Sequence, residues 1–309
     1  MRPVSRRAVS ALAAVTALLS LGACSSSGGS STASPSGSAA GRPIAVVAST
    51  NVWGDIAQTI GGSAVSVTSI INDPNADPHS YEANAQTELA ISKAAVVIEN
   101  GGGYDDFVAT MIAASGTKAT VVDAVTVSGK QAVGGQLNEH VWYDFPSVDK
   151  VAGAIATALS AADPARSSTF TANAAAFTSQ VAGLESQLAA VKAAHAGTGV
   201  AITEPVPVYL LTGAGLVDKT PAGFTSAIEA QSDVSPTVMQ AALTLLTRHQ
   251  VAALVYNEQT MGPQTTTVLD AAKSAGVPVV PVTETLPHGK DYISWMSSNI
   301  AALTSALGK

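Results

Sequence analysis

The chain has 309 residues, 47% of them hydrophobic and 12% charged, and its formal net charge is −7. This acidic balance argues against a sequence-independent nucleic-acid binder, because the surface would repel phosphates. The single cysteine, Cys24, excludes an intrachain disulfide, and it leaves the globular part with no thiol for cysteine catalysis.

A secretory signal peptide is predicted at residues 1–23, where three arginines in MRPVSRR precede an apolar run too short to be a persuasive membrane span. The run ends in LGAC at 21–24, which resembles the bacterial lipobox, so we expect Cys24 to carry a lipid. The alternative is that Cys24 is only a small apolar residue that ends the run. The SRR at 5–7 weakly indicates twin-arginine export, and the export route stays open.

A flexible tether is predicted at residues 24–42, which after Cys24 are nearly all Ser, Gly, Ala and Thr. Such a segment cannot bury enough apolar area to offset the entropy of ordering, and its mean reach is about 23 Å. Without residues 1–23 the chain keeps 12 basic and 22 acidic residues, a net charge of −10 that is compatible with a cationic ligand. We therefore expect an extracytoplasmic body anchored to the cell membrane by a lipid on Cys24.

An N-terminal α/β lobe is predicted at residues 43–163, where short β-branched runs alternate with amphipathic stretches. This alternation is typical of a mostly parallel sheet with helices on both faces. The predicted strands are 44–49, 65–70, 95–99 and 120–123. The predicted helices lie near 52–61, 84–93, 104–115 and 147–161.

One long linking helix is predicted within residues 164–196, because hydrophobic residues alternate at spacings of four and three over 167–195. These residues are Phe170, Ala174, Phe177, Val181, Leu184, Leu188 and Val191. At 1.5 Å per residue the helix would be about 43 Å long, and packing across both lobes would restrict the hinge between them. The alternative is a coiled-coil dimer, which we disfavour because the Ala and Phe knobs are weak.

A C-terminal α/β lobe is predicted at residues 197–309 by the same alternation. Its predicted strands are 200–203, 252–256 and 277–282. Its predicted helices lie near 206–214, 236–249, 263–275 and 289–307. Ser235 before Pro236 is a helix start signal, and Gly276 is a helix stop signal.

Local motifs for catalysis are absent from the sequence, which contains no G-x-S-x-G, Walker A or H-E-x-x-H pattern and no G-x-G-x-x-G pattern. Residues 73–84 begin like a calcium loop. However, Pro78 stands where that loop requires Gly, and Asn84 stands where it requires Glu.

Four candidate metal ligands follow strands or hydrophobic runs. In the N-terminal lobe, His79 and His140 lie in polar loops. In the C-terminal lobe, Glu204 and Glu284 follow predicted strands, and His288 nearby is a minor alternative ligand. Because ligands bind outside the carboxyl ends of strands in open α/β sheets, a cleft between the lobes would bring the four together. Acids at strand ends are common in α/β proteins, so these residues alone make only a partial argument.

Five stretches spread over nearly all of residues 43–309 resemble the metal-binding receptors of bacterial ABC importers for zinc and manganese, the type with one rigid linking helix. STNVWGDIAQTIGG (49–62) resembles the opening strand and helix of that family, and DPHSYE (77–82) and NEHVWYD (138–144) resemble its two histidine motifs. ITEPVPVYLL (202–211) and VPVVPVTETL (277–286) resemble the strand ends that carry its third and fourth ligands.

The resemblance implies a receptor without catalysis, whose cargo is Zn²⁺ or Mn²⁺ and whose partners are an ABC permease and its ATPase. The implied ligands are His79, His140, Glu204 and Glu284. The residues expected to support the ligands or fix turns are Asp77, Tyr81, Glu82 and Asp144. Two neutral imidazoles and two carboxylates carry a charge of −2, which matches a divalent cation. We expect a monomer, with Trp142 in lobe packing.

Two alternatives to a transport receptor remain, and the metal is open between Zn²⁺ and Mn²⁺. A metal-receptor-type surface adhesin is the first alternative. A secreted metal-dependent hydrolase is the weaker one, because four protein ligands leave no open metal position. The absence of a His-rich loop at 128–138, and Glu204 where zinc members often have His, both lean towards manganese. Zn²⁺ nevertheless outranks Mn²⁺ in intrinsic affinity for N/O sites, so the metal stays open.

Overall fold

Two four-stranded parallel sheets organise the chain. The computed structural model describes residues 42–73, 81, 84–132 and 134–308, and the predictions for the signal peptide, Cys24 and the tether up to residue 41 lie outside them. The strands in this described part are β1 (Ile44–Thr50), β2 (Val65–Ile71), β3 (Val96–Glu99), β4 (Thr120–Asp123), β5 (Gly199–Ile202), β6 (Val217–Asp218), β7 (Leu254–Asn257) and β8 (Val279–Val282). The sheet orders are β2-β1-β3-β4 and β6-β5-β7-β8.

Helices surround both sheets, as the alternating pattern predicts. Within the described residues they are α1 (Asn51–Gly61), α2 (Ala85–Lys93), α3 (Asp106–Ser115), α4 (Ala124–Ser128), α5 (Phe145–Ala162), α6 (Ser167–His195), α7 (Val208–Gly213), α8 (Phe224–Glu229), α9 (Pro236–Thr247), α10 (Pro263–Ala275) and α11 (Tyr292–Leu307). The predicted fold class is confirmed. The sequence pattern missed β6, α4 and α8, because elements of two to six residues are too short to show periodicity.

The strands are hydrophobic on both faces because helices cover both faces of each sheet. In the N-terminal lobe, Ala48 of β1 pairs with Ile98 of β3, which pairs with Val122 of β4. In the C-terminal lobe the corresponding pairs join β5 to β7 and β7 to β8. The two lobes therefore share one strand order, and the carboxyl ends of the strands within each sheet lie along one edge.

The long helix is present as predicted: α6 runs from Ser167 to His195 and is 29 residues long. Its buried residues are the predicted set of Phe170, Ala174, Phe177, Val181, Leu184, Leu188 and Val191. The helix packs against α1 and α5 of the N-terminal lobe and against α7 and α11 of the C-terminal lobe. Because its hydrophobic stripe is covered within the chain, the stripe is not available to a coiled-coil partner.

One hydrophobic core extends through both lobes. Its centre holds Trp142 and Tyr143 from the N-terminal side and Tyr292 and Trp295 from α11, each at most 2% exposed. The Tyr292 hydroxyl donates to the carbonyl of Trp142 at 2.7 Å, and the rings of Tyr143 and Trp295 meet edge to face at 5.7 Å. Large aromatic rings bury much area and pack with specific geometry, so this cluster fixes the lobes against each other. The packing role predicted for Trp142 is confirmed.

Two predicted helix boundaries show their expected local chemistry. The Ser235 side chain accepts from the backbone N–H of Val238, with Pro236 at the first position of α9. Gly276 ends α10 with a φ of 69°, a left-handed conformation in which a side chain would be strained. Across the described part of the chain, none of the helices has both the length and the apolar character needed to cross a membrane.

Candidate metal centre

The two carboxylates predicted in the C-terminal lobe lie side by side at the edge of the second sheet. Glu204 follows the end of β5 by two residues, and Glu284 follows the end of β8 by two residues. Strand β7 lies between β5 and β8 and ends at Asn257. The two glutamates are only 4% and 1% exposed, so each carboxylate has lost most of its hydration.

Asn257 holds both carboxylates with one amide group. Its Nδ2 donates to Glu204 Oε2 at 2.6 Å and to Glu284 Oε1 at 2.8 Å. Its Oδ1 accepts from the backbone N–H of Gln259 at 3.2 Å, which fixes the orientation of the amide. Two buried carboxylates repel each other, and hydrogen bonds to a shared donor offset part of that cost. Thr260 also donates its hydroxyl to Glu204 Oε2.

The loop that carries Glu284 is fixed from both lobes. The Gln259 side-chain oxygen accepts from the backbone N–H groups of Glu284 and Thr285. From the N-terminal lobe, the Tyr143 hydroxyl donates to the carbonyl of Thr283 at 2.8 Å. Burial raises the pKa of Tyr143, and the nearby Glu284 carboxylate adds to the effect, so this hydroxyl remains a donor.

His140 faces these carboxylates from the N-terminal lobe and is 1% exposed. Asn138 Nδ2 donates to the carbonyl of Pro205 at 3.0 Å, so Asn138 Oδ1 is the acceptor for His140 Nδ1 at 2.7 Å. The proton of a neutral imidazole is therefore on Nδ1, and Nε2 carries the lone pair. His140 Nε2 lies 4.0 Å from Glu284 Oε2. A histidine oriented through its second nitrogen is the usual arrangement at a metal.

Aromatic rings enclose the His140 imidazole. The Trp142 ring lies 5.1 Å away edge to face, and the Tyr104 ring lies 5.9 Å away. The Asn100 amide donates to the backbone carbonyl of Glu139 at 3.0 Å and thereby positions the residue before the histidine. The imidazole of His140 is therefore packed against aromatic rings, and its loop is fixed by a hydrogen bond.

The structure describes three of the other predicted residues, namely Tyr81, Asp144 and His288. His79, Asp77 and Glu82 lie outside the described residues. Tyr81 shares a hydrogen bond of 2.9 Å with the Thr87 hydroxyl. It therefore holds the turn before α2.

Asp144 also fixes a turn. It accepts from the Ser147 backbone N–H at 3.1 Å as the N-cap of α5, and it pairs with Lys130 at 2.8 Å. His288 is exposed and lines a separate cavity with Asn51 and Asp55.

Two glutamates that the sequence analysis did not single out lie beside His140. One ligand atom each from Glu139, His140 and Glu229 fall within 4.8 Å of one another. Burial, and then the charges of Glu139 and Glu204, raise the pKa of Glu229 to about 7. Burial also raises the pKa of Glu139. Glu139 could have been found as the neighbour of His140 in NEHVWYD, whereas Glu229 ends the unpredicted helix α8.

The fold consists of two sheets joined by one long helix, with buried ligand-type side chains where the two lobes meet. A family model described as "Zinc-uptake complex component A periplasmic" (ZnuA) matches residues 46–306, and the chain belongs to that family. The resemblance seen in the motifs is confirmed. Members of this family are metal-binding transport receptors and not enzymes, so the hydrolase alternative is not supported.

Individual relatives differ in the metal that their names give. The manganese-binding lipoprotein MntA of Bacillus subtilis (strain 168) is 29% identical over 141 residues, which is 44% of this chain and 45% of that protein. The match therefore spans less than half the length of that relative.

Solved structures share the fold along most of the chain. The periplasmic zinc binding protein TroA from Treponema pallidum has a TM-score of 0.74 at 18% identity and covers 86% of this chain and 99% of its own. FpvC from Pseudomonas aeruginosa, solved with Ni²⁺, has a TM-score of 0.71 at 21% identity and covers 86% and 97%. At these identities the likeness shows the fold alone.

Proposed function

We propose that the protein is the substrate-binding component of an ABC importer, which captures Zn²⁺ or Mn²⁺ between its lobes and delivers it to a membrane permease. The observation that carries the proposal is the convergence of buried His140, Glu204 and Glu284 from the two lobes. Charged carboxylates are costly to bury, and a divalent ion would offset that cost.

The proposed ligands are His79, His140, Glu204 and Glu284. For His79 the support is the DPHSYE motif. For His140 it is the imidazole tautomer set by Asn138, which leaves Nε2 to bind metal. For the two glutamates it is their shared amide donor and their burial.

The membrane-side assembly is also part of the proposal. We place the signal peptide at 1–23 and the lipid on Cys24, and we place the lobe boundaries at 163 and 197 around the linking helix. The periplasmic family and the lipoprotein relative support an anchored receptor. The family's role in metal uptake supports a permease and its ATPase as partners, and we propose that the receptor is a monomer.

Metal choice follows from the donor set. One imidazole and two carboxylates, with a second imidazole from His79, suit Mn²⁺ better than a histidine-rich set would. Zn²⁺ has the higher intrinsic affinity for such donors, so purified protein is expected to prefer zinc.

Metal analysis of the purified protein, followed by competitive titration of Zn²⁺ against Mn²⁺, tests the receptor function directly. We expect one divalent ion per chain, and we expect Glu204→Ala to lose at least about 100-fold in affinity because a ligand is removed. Glu258→Gln is the matched control, because Glu258 is exposed and its loss removes one negative charge without touching the ligands. Failure of the wild-type protein to bind any divalent metal at micromolar concentration would overturn the proposal.

Transport is tested by metal uptake in a deletion strain complemented with wild type or Glu204→Ala. Uptake restored only by the wild type is expected. The adhesin alternative predicts a different result, namely loss of host-surface binding with normal metal uptake.

Small-angle scattering of metal-free and metal-bound protein tests the rigid hinge. We expect a small change, because one core and α6 join the lobes.

A further inference from the structure

A second set of metal-type side chains overlaps the proposed site. Glu139 and His140 are consecutive residues ahead of a short 3-10 turn at Val141–Tyr143, and Glu229 is the last residue of α8 in the other lobe. One ligand atom from each of the three lies within 4.8 Å of the others. The set is therefore built from both lobes, like the proposed cargo site.

The two carboxylates of this set have few hydrogen-bond partners within the described part of the chain. Glu139 is 9% exposed, and its carboxylate accepts a hydrogen bond from its own backbone N–H but from no other described residue. Glu229 Oε1 is fully buried and has no hydrogen-bond partner among the described residues. Buried polar groups normally have partners, and two adjacent carboxylates need a positive charge. A bound cation would supply it.

Glu229 also borders a cavity beside this set. A cavity of about 390 Å³ is lined by Glu229, Glu204 and Thr260, and by the exposed Met261 near the surface. An ion arriving through this cavity would meet Glu229 beside Glu204. The carboxylate of Glu229 is close enough to Glu204 and Glu139 for their charges to affect it.

We propose that Glu139, His140 and Glu229 form a transit site that binds a divalent cation before it reaches Glu204 and Glu284. This inference rests on the proposed receptor function. Both sites use the imidazole of His140, so we expect one ion to occupy them in turn. The ion keeps His140 and exchanges the carboxylates of the transit site for those of the cargo site. Two carboxylates and a neutral imidazole match the charge of Mn²⁺ or Zn²⁺.

Residual metal binding in a cargo-site variant tests the transit site. The probe is Mn²⁺ alone, followed by electron paramagnetic resonance titration of the full purified chain. Glu284→Gln is expected to weaken binding at least about 100-fold while leaving weak binding to one site. Adding Glu229→Gln or Glu139→Gln is expected to lower that residual affinity by at least a further ~10-fold. Adding Glu258→Gln, which removes the same charge from an exposed position, is expected to leave it unchanged.

The outcomes separate the two proposals. Equal residual binding in Glu284→Gln/Glu229→Gln and Glu284→Gln/Glu258→Gln would overturn the transit site and leave the receptor function standing. Wild-type affinity in Glu284→Gln alone would contradict the cargo ligand set. A further loss on adding Glu229→Gln would then still support the transit site.

The order of binding is tested by stopped-flow capture of Mn²⁺. Glu229→Gln alone is expected to slow capture by about 10-fold and to weaken the equilibrium affinity much less than Glu284→Gln does, because the cargo ligands are intact. An unchanged capture rate would overturn the transit role. Thermal unfolding in chelator checks the fold. Glu229→Gln should not lower the midpoint, because it removes a buried charge.

Discussion

The two lobes place carboxylates at the same edge of sheets that share one strand order, but the carboxylates have different neighbours. In the N-terminal lobe, Glu99 and Asp123 are directly paired at the ends of β3 and β4. Asp123 accepts from the backbone N–H of Thr126 at 2.9 Å and so caps helix α4, which begins at once. The carboxylate is used to stabilise the start of a helix.

In the C-terminal lobe, the carboxylates of Glu204 and Glu284 point instead at the other lobe. Each follows its strand by two residues, and Asn257 at the end of β7 holds both. The surface they meet carries His140. An acidic residue after a strand is therefore a common sequence signal. Its role depends on whether it caps a helix or faces the other lobe.

The central strands show a related contrast. Asn100 follows β3, and its amide donates to the carbonyl of Glu139, so it holds the ligand-bearing loop through its backbone. Asn257 ends β7 and binds ligand side chains directly. The N-terminal lobe thus positions its histidine through a loop, whereas the C-terminal lobe positions its carboxylates through the sheet.

Glu284→Gln and Asp123→Asn are expected to differ most in their effect on metal affinity. Both follow or end the fourth strand of a lobe, and both substitutions remove one charge. We expect Glu284→Gln to lower metal affinity at least about 100-fold, because a ligand oxygen is replaced by an amide. Asp123→Asn should change affinity less than about 3-fold, since Asn caps a helix as well as Asp does. Calorimetric titration measures both, and equal losses would contradict the distinction.

Asn257→Ala tests the shared amide. We expect metal affinity to fall by about 10–100-fold, because partners that orient ligands typically contribute that much. Asn173→Ala is the control. Asn173 Nδ2 donates to the carbonyl of Ile60 at 2.9 Å, between α6 and α1 and away from the ligands. Its loss should lower stability but leave metal affinity unchanged. Unchanged or tighter metal binding by Asn257→Ala would show that the amide does not orient the ligands.

Glu99→Gln tests the acidic residues at the ends of β3 and β4. Burial, and then the charges of Asp105, Asp123 and Asp106, raise the pKa of Glu99 from 4.5 to about 7. The folded chain therefore holds this proton more tightly, so the wild type loses stability as pH rises from about 4.5 to about 7.

Glutamine at position 99 does not ionise, so the variant does not lose stability in this way as pH rises. The stability advantage of Glu99→Gln over the wild type should grow across this window to about 1–2 kcal/mol, allowing for partial exposure, and then level off. Urea unfolding at pH 5 and pH 8 in chelator measures it. A difference that does not depend on pH would contradict the assignment.

Tyr143→Phe and Tyr256→Phe are expected to show the smallest effects, and these concern the free energy of unfolding. The Tyr143 hydroxyl joins the lobes through Thr283, whereas the buried Tyr256 hydroxyl has no hydrogen-bond partner among the described residues. We expect Tyr143→Phe to lower the free energy of unfolding by about 1 kcal/mol and Tyr256→Phe to leave it unchanged or raise it. Chemical denaturation of the metal-free proteins measures both. A larger loss from Tyr256→Phe would reverse the expected order.

Much of the candidate site could be predicted from the sequence, because the residues that meet there lie in recognisable local motifs. NEHVWYD identified His140, and the strand ends before Glu204 and Glu284 identified the carboxylates. Asn257 and Glu229 could not be found this way. Asn257 matters only because β7 lies between β5 and β8, and Glu229 only because α8 approaches the other lobe.

The sequence by itself determined the elements whose signals are local. The stripe of α6 and the start of α9 at Ser235 depend on residues a few positions apart, and both agree with the structure. The tertiary structure decided which side chains meet, because strand order and the packing of the shared core join residues tens to hundreds of positions apart. His140 and Glu284 are 4.0 Å apart for that reason, and no periodicity in the chain records it.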